Sequence, residues 1–87
     1  MAAQKTIFAG TLTVVVDNAE FDTPEGAGEI FMKNVGAAPA TFRGSAEGSV
    51  DVTLAVGEKF AYGYIASIRN PIHIDATGTK VELSISI

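Results

Sequence analysis

With 87 residues, a net charge of −4 and a pI of about 4.7, the chain is sized for one domain spanning residues 1–87. Its cations (Lys5, Lys33, Arg43, Lys59, Arg69 and Lys80) are spread singly. They form none of the clustered basic stripe that a nucleic-acid backbone requires. Without cysteine there can be no disulfide, no thiolate metal site and no Cys nucleophile.

Apolar residues make up 47% of the chain, ample for a core, but no run of them approaches the roughly 20 residues that span a bilayer. The first ten residues lack a basic stretch followed by a continuous apolar run, so no signal peptide is expected and synthesis in the cytoplasm is. Charged residues, at 18%, fall below the usual quarter, which suggests that a partner covers part of the surface.

In chain order, Thr6 to Val16 reads as a first strand. Phe8, Leu12, Val14 and Val16 share one parity, and Gly10 stands among them as a bulge or close-approach signal. Residues 17–28 form the longest predicted loop, with Asp17, Glu20, Asp22, Glu25 and one aromatic, Phe21. Glu29 to Asn34 is a second strand with Ile30 and Met32 on one face and Phe31 on the other. Because it is apolar on both sides, its outer face is expected to be covered. A turn over Val35 to Pro39 follows, then a third strand, Ala40 to Arg43, anchored by Phe42.

After a Gly44 to Gly48 loop, Val50, Val52 and Leu54 mark the inner face of a fourth strand. Ala55 to Glu58 turns the chain into a fifth, where Phe60, Tyr62 and Tyr64 alternate with Ala61 and Gly63. Ile65 to Asn70 is ambiguous and is limited by Pro71, which cannot donate to a ladder. The tail, Ile72 to Ile87, reads as a hairpin: a strand, an Asp75 to Thr79 turn, and a strand with Val81, Leu83, Ile85 and Ile87 on one face. No window repeats apolar residues at helical spacing beside a capping box. The expected fold is therefore all-β: a compact antiparallel β-sandwich or small barrel, jelly-roll or immunoglobulin-like, of about seven short strands.

Few residues carry chemistry. His73, the single histidine, shares a face with Asp75, and such a pair could orient a base. No G-x-S-x-G elbow accompanies it, so an outer-face or inter-subunit position is the better reading. The acids of 17–28 do not follow the EF-hand spacing and read as a solvated loop. Phe60, Tyr62 and Tyr64 could form a sugar platform but are better read as core, and no Trp is present to strengthen the platform. No catalytic residue, cofactor site, metal site or phosphate loop is expected.

Three segments carry a family resemblance. Asn34 to Pro39 is an Asn-x-Gly turn, Val50 to Glu58 a strand ending in Leu-x-x-Gly-Glu, and Ile72 to Thr79 the start of the terminal hairpin. Together they resemble small β-sandwich proteins of tailed-phage virions, the capsid decoration (cement) type. The resemblance implies a non-enzymatic viral structural protein in the virion, made in the host cytoplasm. It would bind the major capsid protein or another virion protein and self-associate, with a trimer favoured, and would bind neither nucleic acid nor membrane. Interface candidates are Val15, Phe31, Met32, His73, Asp75, Ile85 and Ile87, the last strand being read as an exposed edge. The alternatives are a small ligand- or carbohydrate-binding β-sandwich module using Tyr62, Tyr64 and the acidic loop, or a phage tail or other virion component.

Overall fold

The computed structural model describes residues 3–8, 10–24, 28–44, 50–62 and 71–86. They hold nine strands and no helix: β1 (Ala3–Phe8), β2 (Thr11–Asp17), β3 (Glu20–Asp22), β4 (Ile30–Asn34), β5 (Ala40–Gly44), β6 (Val52–Leu54), β7 (Lys59–Tyr62), β8 (Ile72–Asp75) and β9 (Lys80–Ser86). Every pairing is antiparallel. A five-stranded sheet runs β1-β2-β9-β4-β7 and a four-stranded sheet runs β3-β8-β5-β6. From β2 onward the chain changes sheet at every connection except β5 to β6. Strands β2 to β9, four per sheet, thus make a jelly roll, to which β1 adds an edge.

Strict alternation builds the core. Leu12, Val14 and Val16 of β2, Ile30 and Met32 of β4, and Val81, Leu83 and Ile85 of β9 face Phe42, Leu54, Ile72 and Ile74 of the other sheet. β-branched residues at these positions suit a pleated surface buried on one side. Phe42 and Phe60 close one side of the core, with ring centroids 4.8 Å apart.

The expected fold class holds, with four differences in detail. The predicted first strand is two: Phe8 pairs with Thr11, and Gly10, at φ 79°, turns the chain between them instead of bulging within one strand. The predicted acidic loop contains β3, whose Glu20, Phe21 and Asp22 pair with Asp75, Ile74 and His73. The fourth strand keeps only Leu54 as a core residue. As an edge with one neighbour, it leaves Val52 42% and Val50 75% exposed.

The tail, fourthly, is no hairpin. Its two strands lie in different sheets, joined by an arch in which Ala76 and Thr79 are themselves buried. The apolar faces of β8 and β9 therefore meet across the core. β9 is hydrogen-bonded on both sides, to β2 and β4, so it offers no free edge. The predicted Ile65 to Asn70 segment, Tyr64 and Ile87 lie outside the described residues.

Two polar residues pin the crossings between sheets. Asn34, at the end of β4, is fully buried and shares the inward parity of Ile30 and Met32. Its Nδ2 donates to the carbonyls of Ala38 (2.7 Å) and Leu54 (2.9 Å). Its Oδ1 accepts from Gly36 N (3.0 Å) and Thr79 Oγ1 (3.0 Å). Thr23, just past β3, is also buried: its Oγ1 accepts from Ile72 N at 2.8 Å, and its own N–H donates to Ile72 O. No buried side-chain polar atom among the described residues lacks a partner, as a stable interior requires.

Candidate functional site

Among the described residues, the inward faces of the two sheets pack into one core cluster. The cluster is aliphatic and aromatic, and the only buried polar residues among those described are Thr23, Asn34 and Thr79, each committed to a structural hydrogen bond. Chemistry is left to the outer faces.

On the four-stranded sheet, the outward residues of β3, β8 and β5 form a charged surface. Asp22, His73 and Arg43 lie in one cross-strand row, and Glu20, Asp75 and Thr41 in the next. His73 is held from both ends: Nδ1 is 2.7 Å from Asp22 Oδ1 and Nε2 is 2.8 Å from Glu20 Oε1. The hydrogen bond to Asp22 raises its pKa above the ordinary 6.5, the bond to Glu20 adds to this, and partial burial opposes both. With both ring nitrogens facing carboxylates, the ring donates to both when it is protonated. It ties β3 to the sheet and has no nitrogen free to act as a base.

Asp75 shares the face, as predicted, but serves the arch. Its Oδ1 accepts from Thr77 N at 2.9 Å, and hydrogen bonding from Thr77 holds its pKa below the usual carboxylate value. Asp22 and Glu20 take the partner role that sequence parity gave to Asp75. Arg43 meets Asp51 at 3.4 Å, both largely in solvent.

On the five-stranded sheet, the outward residues of four strands form two rows. Thr13, Ser84, Phe31 and Ala61 align across β2, β9, β4 and β7, as do Val15, Glu82, Lys33 and Lys59. Together they line an open groove of about 640 Å³, within the range of small-molecule sites. Phe31, 48% exposed, stands in one cross-strand row with the small side chains of Thr13, Ser84 and Ala61. Lys33 and Lys59 are directly opposite one another, and among the described residues neither is in an ion pair. A second hollow, of about 410 Å³, lies where the Asn18, Gly36 and Gly78 loops meet, and is lined largely by backbone and small residues.

Of the predicted interface residues, the structure brings Val15 and Phe31 together in the groove and places His73 and Asp75 on the opposite outer face. Met32 and Ile85 are corrected to core residues. They share the inward parity of Ile30 and Leu83 and are almost wholly buried, so neither can meet a partner. In the predicted aromatic row, Phe60 is 38% exposed and packs on Phe42, while the Tyr62 side chain and Tyr64 lie outside the described residues. Sequence reasoning missed Lys33, Lys59 and Ser84 as groove residues. Each has the outward parity of Phe31 or Glu82, but only the register shows that they are neighbours.

No protein-family model matches the chain, and no curated protein matches its sequence. Solved structures do match its fold. An RmlC-like cupin protein from Desulfovibrio desulfuricans superposes with a TM-score of 0.65 at 14% identity, covering 98% of this chain and 80% of that one. Hydroxypropylphosphonic acid epoxidase from S. wedmorenis, in complex with fosfomycin, gives 0.66 at 10% identity over 98% of this chain and 50% of that one. A cobalt(II) form of the epoxidase gives 0.66 at 12% identity, covering 99% and 52%. The chain thus has a cupin-like jelly-roll fold and spans about half the length of the epoxidase.

These neighbours overturn the reading of a phage capsid decoration protein. The segments behind that resemblance are turn-and-strand grammar, which capsid and cupin jelly rolls share.

The epoxidase structures carry cobalt or iron. Sites of this type draw on imidazole and carboxylate ligands. Here the one histidine points out of the sandwich, its nitrogens taken by Asp22 and Glu20, and the inward faces of the described residues offer no carboxylate. Among the described residues no group of three His, Cys, Asp or Glu could hold a metal. The described residues do not fit such a metal.

Proposed function

We propose that the chain is a small-ligand-binding module, not an enzyme, which uses its jelly roll as a rigid frame and binds on the outer face of the five-stranded sheet. One observation carries this reading: the groove over Phe31, Val15, Ala61 and Ser84, a mostly apolar concavity with a few polar groups at one end. That combination is characteristic of small-molecule sites. Among the described residues, the aliphatic core and the doubly bonded His73 leave no nucleophile–base pair, which favours binding over catalysis.

A fragment screen read by amide chemical-shift mapping tests the reading. Shifts are expected to cluster at Val15, Phe31, Lys33, Ala61 and Ser84, and to vanish in Phe31→Ala. Shifts concentrated on inward residues away from the groove, such as Ile72 and Ile74, or none in the groove, would refute it.

A further inference from the structure

We infer that the ligand of this groove is an anionic amphiphile, whose carboxylate or phosphate head sits between Lys33 and Lys59 and whose apolar body lies over Ala61 against the ring of Phe31. The inference rests on the groove reading proposed above and adds the chemical class of the ligand.

The register supplies the geometry. Lys33 and Lys59 are cross-strand partners, so their Cα atoms are about 5 Å apart. Two like charges directly opposite are unfavourable on a sheet, and an anion between them removes that cost. Phe31 and Ala61 form the next pair in the same direction along β4 and β7, about 7 Å away. Because Ala61 is small, the space above it, walled by Phe31 and open towards the two ammonium groups, accepts a flat or extended apolar body with its charge at one end. Glu82 flanks Lys33 on the β9 side. It leaves Lys59 as the unmatched cation of the row and disfavours a head group placed towards β9.

A simpler reading is that Lys59 guards an edge strand against pairing with another chain. That accounts for Lys59, since β7 is an edge, but not for Lys33, whose strand β4 lies between β9 and β7. An inner-strand lysine opposite another lysine, beside an exposed phenylalanine, matches an amphiphile with a negative head.

The test compares 4-phenylbutyrate with its neutral amide, 4-phenylbutyramide, by chemical-shift titration of the full chain, with light scattering at each protein concentration. Phenyl phosphate serves as the second head group. The carboxylate is expected to bind about tenfold or more tightly than the amide. Lys33→Gln and Lys59→Gln should each remove most of that difference without changing amide binding, and added salt should weaken only the anions.

Equal binding of acid and amide, unaffected by the lysine changes, overturns the anionic class while leaving the groove reading intact. No groove shifts with any probe overturns both. A concentration-dependent dimer that buries Phe31 and is abolished by Phe31→Asp identifies a second copy of the chain as the occupant and overturns the ligand inference. Phenyl phosphate binding as well as the carboxylate supports a shared anion requirement, and discrimination between them says which head group the groove prefers.

Discussion

Replacing Asn34 by alanine removes the one side chain that joins β4, the loop into β5, the end of β6 and the β8–β9 arch. Four hydrogen bonds are lost, and at about 1 kcal/mol net for each the expected cost is about 4 kcal/mol. An 87-residue domain at typical stability per residue has roughly 4–13 kcal/mol in total, so the variant sits near the edge of folding. At about 4–8 °C per kcal/mol, Tm should fall by about 16–32 °C. Thr79→Val, which removes one bond to Asn34 and the weaker contact with Ala38 N, should cost only about 1–2 kcal/mol. The two changes share a bond, so the double variant should be less destabilised than their sum by about 1 kcal/mol. Urea melts of the four proteins give all these quantities. A loss under about 1.5 kcal/mol for Asn34→Ala would mean that water or a rearranged turn satisfies the four partners, and would refute Asn34 as the pin.

The remaining predictions concern one glycine, one histidine and one pair of faces. A Cβ on Gly36 would run into Thr79 Oγ1 and the backbone N of Lys80, so Gly36→Ala should cost about 2 kcal/mol or more in a urea melt by shifting backbone and straining the Asn34 network. His73 has a folded pKa raised above 6.5, so its contribution is fully present below 6.5 and is lost as pH rises through the folded value. Glu20 and Asp22 of β3 and Arg43 and Asp75 beside it are the charged groups that face it. Melts should therefore show stability falling as pH rises from about 6.5 through the raised folded value, by no more than about 1 kcal/mol because the acids are largely exposed. His73→Gln should flatten that slope, and a slope of opposite sign would refute the assignment. Phe31→Ser should leave stability within about 1 kcal/mol, whereas Met32→Ala should cost about 2–5 kcal/mol. The reverse order in thermal melts would mean that the faces of β4 are assigned backwards.

Period-two alternation was enough to place most inward residues of β2, β4, β5 and β9, because each strand has one buried face and its register cannot slip without exposing it. What it could not place were the neighbours. β8 and β9 read as a hairpin because a tight turn joins them, yet Ala76 and Thr79 are buried in that turn, which is the mark of an arch between sheets. β3 was hidden because Glu20 and Asp22 read as solvated acids, and their imidazole partner lies some fifty residues away. Asn34 did carry a usable signal: a polar residue at the inward parity of Ile30 and Met32, followed by Gly36, marks a buried hydrogen-bonding hub better than it marks a surface turn. The groove was half legible. Phe31 and Val15 stood out as apolar residues facing outward, but the lysine pair exists only through the β4–β7 register.

Parity in two strands decides where chemistry can occur on this jelly roll. In β8, His73 falls between Ile72 and Ile74, so the chain's one imidazole is outside and the matching inward positions are filled by isoleucine. Had the strand been offset by one residue, His73 and Asp75 would point into the core beside Phe42 of the neighbouring strand, where an uncompensated charge is costly. In β4 the same alternation sends Ile30, Met32 and Asn34 inward to packing and pinning, and leaves Phe31 and Lys33 on the surface. An interior committed to aliphatic packing gives a stiff sheet, and a stiff sheet holds Phe31, Lys33, Lys59 and Ala61 in fixed register. Packing across the described inward faces therefore preorganises the outer one, and the proposed ligand binding draws on that fixed register.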